Sequence, residues 1–209
     1  ASDVYKRQLK SRVASLDFFW LNENMKKNIL IIGYGDLGKR LTDILDNDLY
    51  NIFHISRNNK YDSDNFIEWD WLSHKEFEIN FEQIDVVIFF PKPLTYDESG
   101  YEDGFKNSAE NLNKIISKFP ISKFISISST RVYNKESDSF CEEVDSIYPT
   151  EFRGKLIKEY EEKQIDFYNE KLIILRFSGL YDSRSKKMSK NHLHRDNAAN
   201  AIKFFIEND

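Results

Sequence analysis

The sequence predicts an α/β fold, a doubly wound parallel sheet, and three observations support this prediction. Short apolar segments alternate with amphipathic helical segments along most of the chain, which is the pattern of a parallel sheet with helices on both faces. The first apolar segment, Ile29–Ile32, runs directly into a glycine turn with the spacing G-x-G-x-x-G, residues Gly33–Gly38. The 209 residues, of which 40% are hydrophobic, are enough for one domain with a substantial core.

Hydrophobic periodicity and turn residues place the elements in chain order. After Ile29–Ile32, the predicted strands are Asn51–Ile55, Phe66–Trp69, Asp85–Phe90, Lys123–Ile127 and Lys171–Arg176. One helix follows the glycine turn, with Leu37, Leu41, Ile44 and Leu45 on one face, and the later helices are about Phe105–Phe119, Phe152–Tyr168 and Asp196–Ile206. Because ligands of such sheets bind beyond the carboxyl ends of the strands, we expect the functional residues just after the strands.

Residues 1–24 are expected to lie outside this domain. Met25 directly precedes two lysines and the first strand, as at a natural start, and residues 2–8 resemble a translated sequencing adaptor. We therefore predict a non-native or disordered leader over residues 1–24 and one domain over residues 25–209. An ordered N-terminal helix is the alternative for the leader.

Composition excludes several classes of function. A formal net charge of -5 argues against a nucleic-acid partner. No apolar run approaches the roughly 20 residues that a membrane span needs. The single Cys141 rules out an intramolecular disulfide framework, which is compatible with a reducing cytoplasm. His192 and His194 have no cluster of cysteines or carboxylates near them in sequence, so no metal site is predicted.

The glycine turn is typical of dinucleotide binding when a strand precedes it and a helix follows it. Gly33 permits the tight turn, Gly35 lets the backbone approach a pyrophosphate, and Gly38 lets helix and strand pack closely. The first N–H groups of the helix, at Asp36 and Leu37, then face the phosphates. The sequence thus predicts a dinucleotide site, with a glycine-rich turn that binds no nucleotide as the alternative.

Residues after the second and third strands favour NADP as the cofactor, with NAD as the second choice. An acidic residue about twenty positions beyond the glycines usually holds the ribose 2′-OH, but Ser56 and Arg57 stand there instead. Arg57 can pair with a 2′-phosphate through its fixed fork of donors; otherwise it is a solvated loop cation. Asp70 either accepts from the adenine amino group or serves as a turn residue, and Pro91 follows the fourth strand at the same edge.

Six motifs in order resemble the extended short-chain dehydrogenase/reductase superfamily, the NAD(P)-dependent epimerase/dehydratase group, and within it the atypical members with a shortened catalytic signature. The motifs are the glycine turn, Ser56-Arg57, Phe124–Tyr133, Arg153-Gly154-Lys155 with Glu159, Leu175–Tyr181 and His194–Ala199. The resemblance implies a Rossmann-type NAD(P)-binding domain. It also implies an oxidoreductase or epimerase/dehydratase-like activity on a small hydroxyl or carbonyl compound or a sugar nucleotide.

The resemblance also implies catalytic residues. In that superfamily a Ser orients the substrate oxygen, and a Tyr four residues before a Lys moves the proton. These positions fall on Ser129, on Glu151 and on Lys155, so the proton-relay tyrosine is missing. Tyr133 is the candidate substitute, with a packed strand-end aromatic as the alternative. Tyr148, seven residues before Lys155, is a second candidate. Lys155 and Arg153 can instead bind the cofactor or an anionic substrate, and the alternative for both is a solvated first turn of the helix.

The missing tyrosine supports an alternative function, a non-catalytic NADP(H)-binding or redox-sensor protein. Members of the superfamily continue well past the segment that begins at His194, so the resemblance implies a substrate part that is short or truncated here. A truncated chain would leave an apolar sheet edge uncovered, which favours self-association. The expected partners are therefore a small-molecule substrate and a second copy of the chain in a homodimer.

Overall fold

Six parallel strands form one sheet in the order β3-β2-β1-β4-β5-β6. The computed structural model describes residues 26–73, 75–80, 82–133, 142–143, 147–183 and 192–208, so the expected leader lies outside the described residues. The strands are β1 (Lys27–Ile32), β2 (Tyr50–Ser56), β3 (Phe66–Glu68), β4 (Ile84–Phe89), β5 (Ile121–Ser129) and β6 (Leu172–Phe177). The strand order reverses between β1 and β4, which confirms the predicted doubly wound fold.

Helices cover both faces of the sheet. On one face lie α1 (Asp36–Ile44) and α5 (Arg195–Glu207); on the other lie α2 (Glu98–Tyr101), α3 (Ser108–Ile116) and α4 (Phe152–Tyr168). A π-helical segment, Glu102–Asn107, joins α2 to α3. No helix in the described part of the chain is long and apolar enough to cross a membrane.

Strand β1 shows why its sequence is an unbroken apolar run. Leu30 and Ile32 belong to the buried cluster beneath α2, α3 and α4, whereas Ile29 and Ile31 belong to the cluster beneath α1 and α5. All four side chains are fully buried. Side chains of a strand alternate between faces, so a strand covered on both sides needs apolar residues at every position.

The structure has two features beyond the predicted elements: an earlier, capped start of the second helix and a pair of short strands. The second predicted helix begins at α2, because the Asp97 carboxylate accepts a hydrogen bond from the Gly100 N–H at 2.9 Å and caps it. Two short strands, β7 (Gly179–Tyr181) and β8 (His192–His194), pair in parallel and were not predicted. Each has three residues, too few for an alternating pattern to be recognised in the sequence.

Candidate functional site

The first glycine of the glycine turn is required by backbone geometry. Gly33 has φ +83°, a left-handed conformation that strains any residue with a side chain. A Cβ atom added to Gly33 would lie 2.5 Å from the carbonyl oxygen of Phe90, which follows β4. The Gly33 N–H donates to the Ile55 carbonyl oxygen at 2.9 Å, so the turn is fixed between the ends of β2 and β4.

The other two glycines differ in what surrounds them. A Cβ at Gly35 would meet only the Gly33 carbonyl oxygen, at 3.8 Å, so the space over this residue is open. A Cβ at Gly38 would lie 3.0 Å from the Tyr34 ring and 3.2 Å from Ile31 of β1. Gly38 therefore provides the close contact of helix and strand that the sequence predicts, and Gly35 leaves room above the turn.

The start of α1 presents its backbone donors to this open space. Gly35 is the N-cap residue and makes no side-chain cap hydrogen bond, so the first turn of α1 presents backbone N–H groups, such as that of Leu37, toward the open space. The Asp36 carboxylate is held by Arg195 at 2.8 Å and by Arg40 at 3.0 Å. Burial favours a higher pKa for Asp36, but the hydrogen bonds from the two arginines outweigh it and lower the pKa.

The residues after β2 and β3 come together at the same edge. The Trp69 N–H donates to the Ser56 carbonyl oxygen at 3.0 Å, which brings Asp70 beside Ser56 and Arg57. Arg57 is exposed, and the Ser56 hydroxyl donates to the Asn58 carbonyl oxygen at 2.8 Å. The Asp70 carboxylate accepts from the Leu72 N–H at 3.1 Å, so it acts as a turn residue in this structure. Pro91 directly follows Phe90, the residue that packs on Gly33.

Ser129 and Tyr133 lie at the carboxyl end of β5, separated by one turn of 3₁₀-helix, Thr130–Val132. The Ser129 hydroxyl oxygen accepts from the Arg131 N–H at 3.3 Å. The Tyr133 hydroxyl accepts from the Arg176 guanidinium at 2.8 Å, and that guanidinium lies 5.3 Å from the centre of the Tyr133 ring. Tyr133 is thus a half-buried aromatic at the end of a strand with a cation bound to its hydroxyl.

Arg176 is itself held by Glu161, a residue that the sequence did not single out. The Glu161 side chain is 2% exposed and lies on α4. It accepts from Arg176 at 2.8 and 3.0 Å and from the Ser128 hydroxyl at 2.5 Å. The hydrogen bonds and charge of Glu161 raise the pKa of Arg176 despite its partial burial. This pair ties α4 to the ends of β5 and β6 and so fixes which side of α4 faces the sheet.

The orientation of α4 determines where its first turn points. One helical turn before Glu161 is Ile157, which is 1% exposed, and one turn earlier is Arg153, which is half-buried. Lys155 is exposed and lies on the other side of the helix. A Cβ at Gly154 would lie 2.4 Å from the Arg131 carbonyl oxygen, so the first turn of α4 presses against the 3₁₀ turn. The 3₁₀ turn that joins Ser129 to Tyr133 therefore contacts the start of α4, and the Lys155 side chain is exposed on the side of α4 opposite Ile157.

Comparisons with known proteins support the fold. A scan against protein-family models finds no match, and a search of curated proteins finds no significant match. UDP-N-acetylglucosamine 4-epimerase from Bacillus cereus is similar in structure, with a TM-score of 0.69 and 18% identity over 87% of this chain and 74% of that one. A putative NAD-dependent epimerase/dehydratase from Methylobacillus flagellatus has a TM-score of 0.67 and 20% identity over 88% and 71%.

A third similar structure is MoeE5 in complex with UDP-glucuronic acid and NAD, with a TM-score of 0.71 and 16% identity over 87% of this chain and 73% of that one. These likenesses confirm the fold expected from the sequence motifs. The protein thus shares a Rossmann-type fold with these epimerase and dehydratase structures.

Proposed function

We propose that the protein binds a nicotinamide dinucleotide across the carboxyl edge of its sheet, with the pyrophosphate over the glycine turn. The observation that carries this proposal is the open space above Gly35, which faces a helix start without a side-chain cap. Backbone N–H groups and the helix dipole favour an anion at this position. Arg40 and Arg195 pair with the Asp36 carboxylate and offset part of its negative charge. The same two arginines also pair with Asp182 and Asp196.

The preferred cofactor is NADP(H), and NAD is the second choice. MoeE5 was solved with NAD, and several further neighbours in structure are named as NAD complexes or NAD-dependent proteins. In this chain β2 ends in Ser56 and is followed by an exposed arginine, Arg57, without a carboxylate that would repel a 2′-phosphate. A charge-assisted hydrogen bond of about 1.5–3 kcal/mol from Arg57 would give roughly a ten- to hundredfold preference.

The proposed activity is that of an oxidoreductase or epimerase on a small hydroxyl or carbonyl compound, such as a sugar nucleotide. A bound nicotinamide would supply the hydride acceptor or donor. The Ser129 hydroxyl, already oriented by the Arg131 N–H, would hold the substrate oxygen. Tyr133 would hold the proton at its hydroxyl oxygen, which accepts a hydrogen bond from the Arg176 guanidinium. Lys155 remains a prediction, because its exposed side chain would have to reach around the helix start.

A second candidate is a non-catalytic NADP(H)-binding or redox-sensor protein. Two observations favour it: Glu151 precedes α4 at the position counted for the proton-relay tyrosine, and the Lys155 side chain is exposed. A carboxylate has a reference pKa near 4.3 and is a weak base at neutral pH. The two candidates share the cofactor site and differ only in turnover.

The cofactor site is tested by titrating NADPH and NADH into the protein and following nucleotide fluorescence. Gly35→Val should abolish binding because its side chain enters the open space above the turn. The free energy of unfolding of the Gly35→Val variant should change by less than about 1 kcal/mol, since no atom lies closer than 3.8 Å to the added Cβ. Arg57→Ala should remove the preference for NADPH over NADH. A folded wild-type protein that binds neither nucleotide would overturn the proposal.

Turnover separates the two candidates. If the protein is an enzyme, Ser129→Ala should lower NADPH oxidation with carbonyl substrates by about a hundredfold while NADPH affinity is unchanged. Unchanged turnover in Ser129→Ala would show that Ser129 does not hold the substrate oxygen. Tight NADPH binding without turnover on any sugar nucleotide or small carbonyl compound would favour the binding protein.

A further inference from the structure

The four half-buried arginines that the structure describes differ in how their charge is balanced. Three of them meet carboxylates: Arg176 meets Glu161, Arg40 meets Asp36, and Arg195 meets Asp36 and Asp182. Arg153 forms no ion pair with a carboxylate of the described residues. A partly buried cation without a counter-charge is costly unless a ligand supplies one.

The Arg153 guanidinium is nevertheless held in a fixed orientation. It lies 5.6 Å from the centre of the Tyr101 ring and 5.5 Å from that of Phe152. One terminal nitrogen donates to the Tyr96 carbonyl oxygen at 3.2 Å. The Nε–H group is buried and has no hydrogen-bond partner. Because a guanidinium has five N–H donors and one of them serves the Tyr96 carbonyl oxygen, the planar fork retains donors for an incoming oxyanion.

Arg153 stands between the ends of β4 and β5. Its hydrogen-bond acceptor, Tyr96, belongs to the segment between β4 and α2, and the adjacent Gly154 packs on the Arg131 carbonyl oxygen just after β5. Ser129 accepts from the N–H of that same Arg131. The glycine turn lies at the end of β1, on the other side of β4, where the proposed pyrophosphate would bind. An anion at Arg153 therefore belongs beside Ser129 and apart from the pyrophosphate.

We propose that Arg153 binds an anionic group, a carboxylate or a phosphate, on the substrate. This inference rests on the proposed function, which places the reacting end of the substrate at Ser129. The aromatic rings of Tyr101 and Phe152 fix the plane of the guanidinium and reduce its hydration, and both effects favour a planar or tetrahedral oxyanion over a neutral hydroxyl. Arg153 thus determines specificity and takes no part in the proton transfer.

The experiment measures the binding of three sugars by saturation-transfer difference NMR, with and without NADPH. Glucuronate carries a carboxylate, glucose 6-phosphate carries a phosphate, and glucose carries neither. At least one charged sugar should bind about tenfold more tightly than glucose to the wild type. Arg153→Met, which keeps an unbranched side chain against the rings, should remove this preference, whereas Arg153→Lys should retain part of it.

The matched control is Lys158→Met on the same helix, where the lysine pairs with Glu162 at 3.5 Å on the outer side. It should leave the preference unchanged. Equal binding of all three sugars to the wild type, or a preference that survives in a folded Arg153→Met, would overturn the inference. NADPH affinity is measured in the same samples. A wild-type protein that binds no NADPH would overturn the proposed function. The sugar titrations without NADPH would still decide the role of Arg153.

Discussion

Two regions of the carboxyl edge of the sheet, one after β1 and one after β5, are built in different ways. Around β1 the site consists of consecutive residues, Gly33–Gly38, whose backbone supplies the geometry and whose neighbours are the ends of β2 and β4. Around β5 the site consists of side chains from separate elements, in which Tyr133 meets Arg176 and Arg176 meets Glu161. The first end depends on local conformation, and the second depends on packing of α4.

This difference predicts that the two ends respond to different kinds of substitution. Substitutions that alter the conformational freedom of the backbone should disrupt the glycine turn after β1. Substitutions that remove a charge should disrupt the contacts among Tyr133, Arg176 and Glu161 after β5. A buried ion pair that loses one partner leaves an uncompensated charge, which costs more than most losses of a turn or a single hydrogen bond.

The largest effect should come from Glu161→Gln. This change leaves the Arg176 guanidinium, whose side chain is 19% exposed, without its buried counter-charge. We expect the free energy of unfolding to fall by about 3–5 kcal/mol in urea titrations at pH 7. The control is Glu159→Gln, which removes a half-exposed carboxylate 3.9 Å from Lys106 and should cost about 0.5 kcal/mol or less. Equal losses for both variants would show that Glu161 does not anchor α4.

The same pair explains the limit of sequence-based prediction at this end. Helix α4 has Glu159, Glu161 and Glu162 in close succession, and no feature of the sequence distinguishes the buried one. Counting back four residues from Glu159 assigns Lys155 to the position of the expected lysine. Because Glu161 is buried, Ile157 faces the sheet and Lys155 faces away from it. The glycine turn carries its own constraints, so the doubly wound parallel sheet, the apolar face of α1 and the role of Gly33 in the tight turn could all be predicted from local pattern.

Lowering the pH should destabilise the protein through His54, a residue of β2. Burial, reinforced by the positive charge of Lys39, lowers the pKa of His54 to about 4 from 6.5. Its ring nitrogens meet the hydroxyls of Thr42 and Ser63. Because the unfolded chain binds this proton near pH 6.5 and the folded protein only near pH 4, the contribution is present above pH 6.5 and is lost as the pH falls to 4.

The loss should be about 2–3 kcal/mol between pH 7 and pH 4.5. Urea unfolding of the wild type and of His54→Gln at both pH values isolates this contribution, because the carboxylates that also titrate are common to both proteins. The difference between the two proteins should shrink on acidification. A difference that stays constant with pH would mean that His54 is accessible to protons in the folded state.

A smaller effect should follow from Gly33→Ala. The methyl group would force a left-handed φ on alanine and contact the Phe90 carbonyl oxygen, so we expect a loss of about 2 kcal/mol. Gly35→Ala is the matched control two residues away, with open space around its Cβ and an expected loss below about 1 kcal/mol. Thermal unfolding of both variants compares them. Equal stability of the two would contradict the requirement for glycine at residue 33.

The smallest change in stability, and the most informative for function, should come from Tyr133→Phe. Removing the hydroxyl leaves one Arg176 N–H without its acceptor and should cost about 1 kcal/mol, while the ring stays beside the guanidinium. If Tyr133 moves the substrate proton, turnover should fall by about a hundredfold with NADPH affinity unchanged. Tyr148→Phe, at a tyrosine that is 70% exposed, is the control and should change neither quantity. Full turnover in Tyr133→Phe would leave Tyr133 as a packed aromatic whose hydroxyl serves only to orient Arg176.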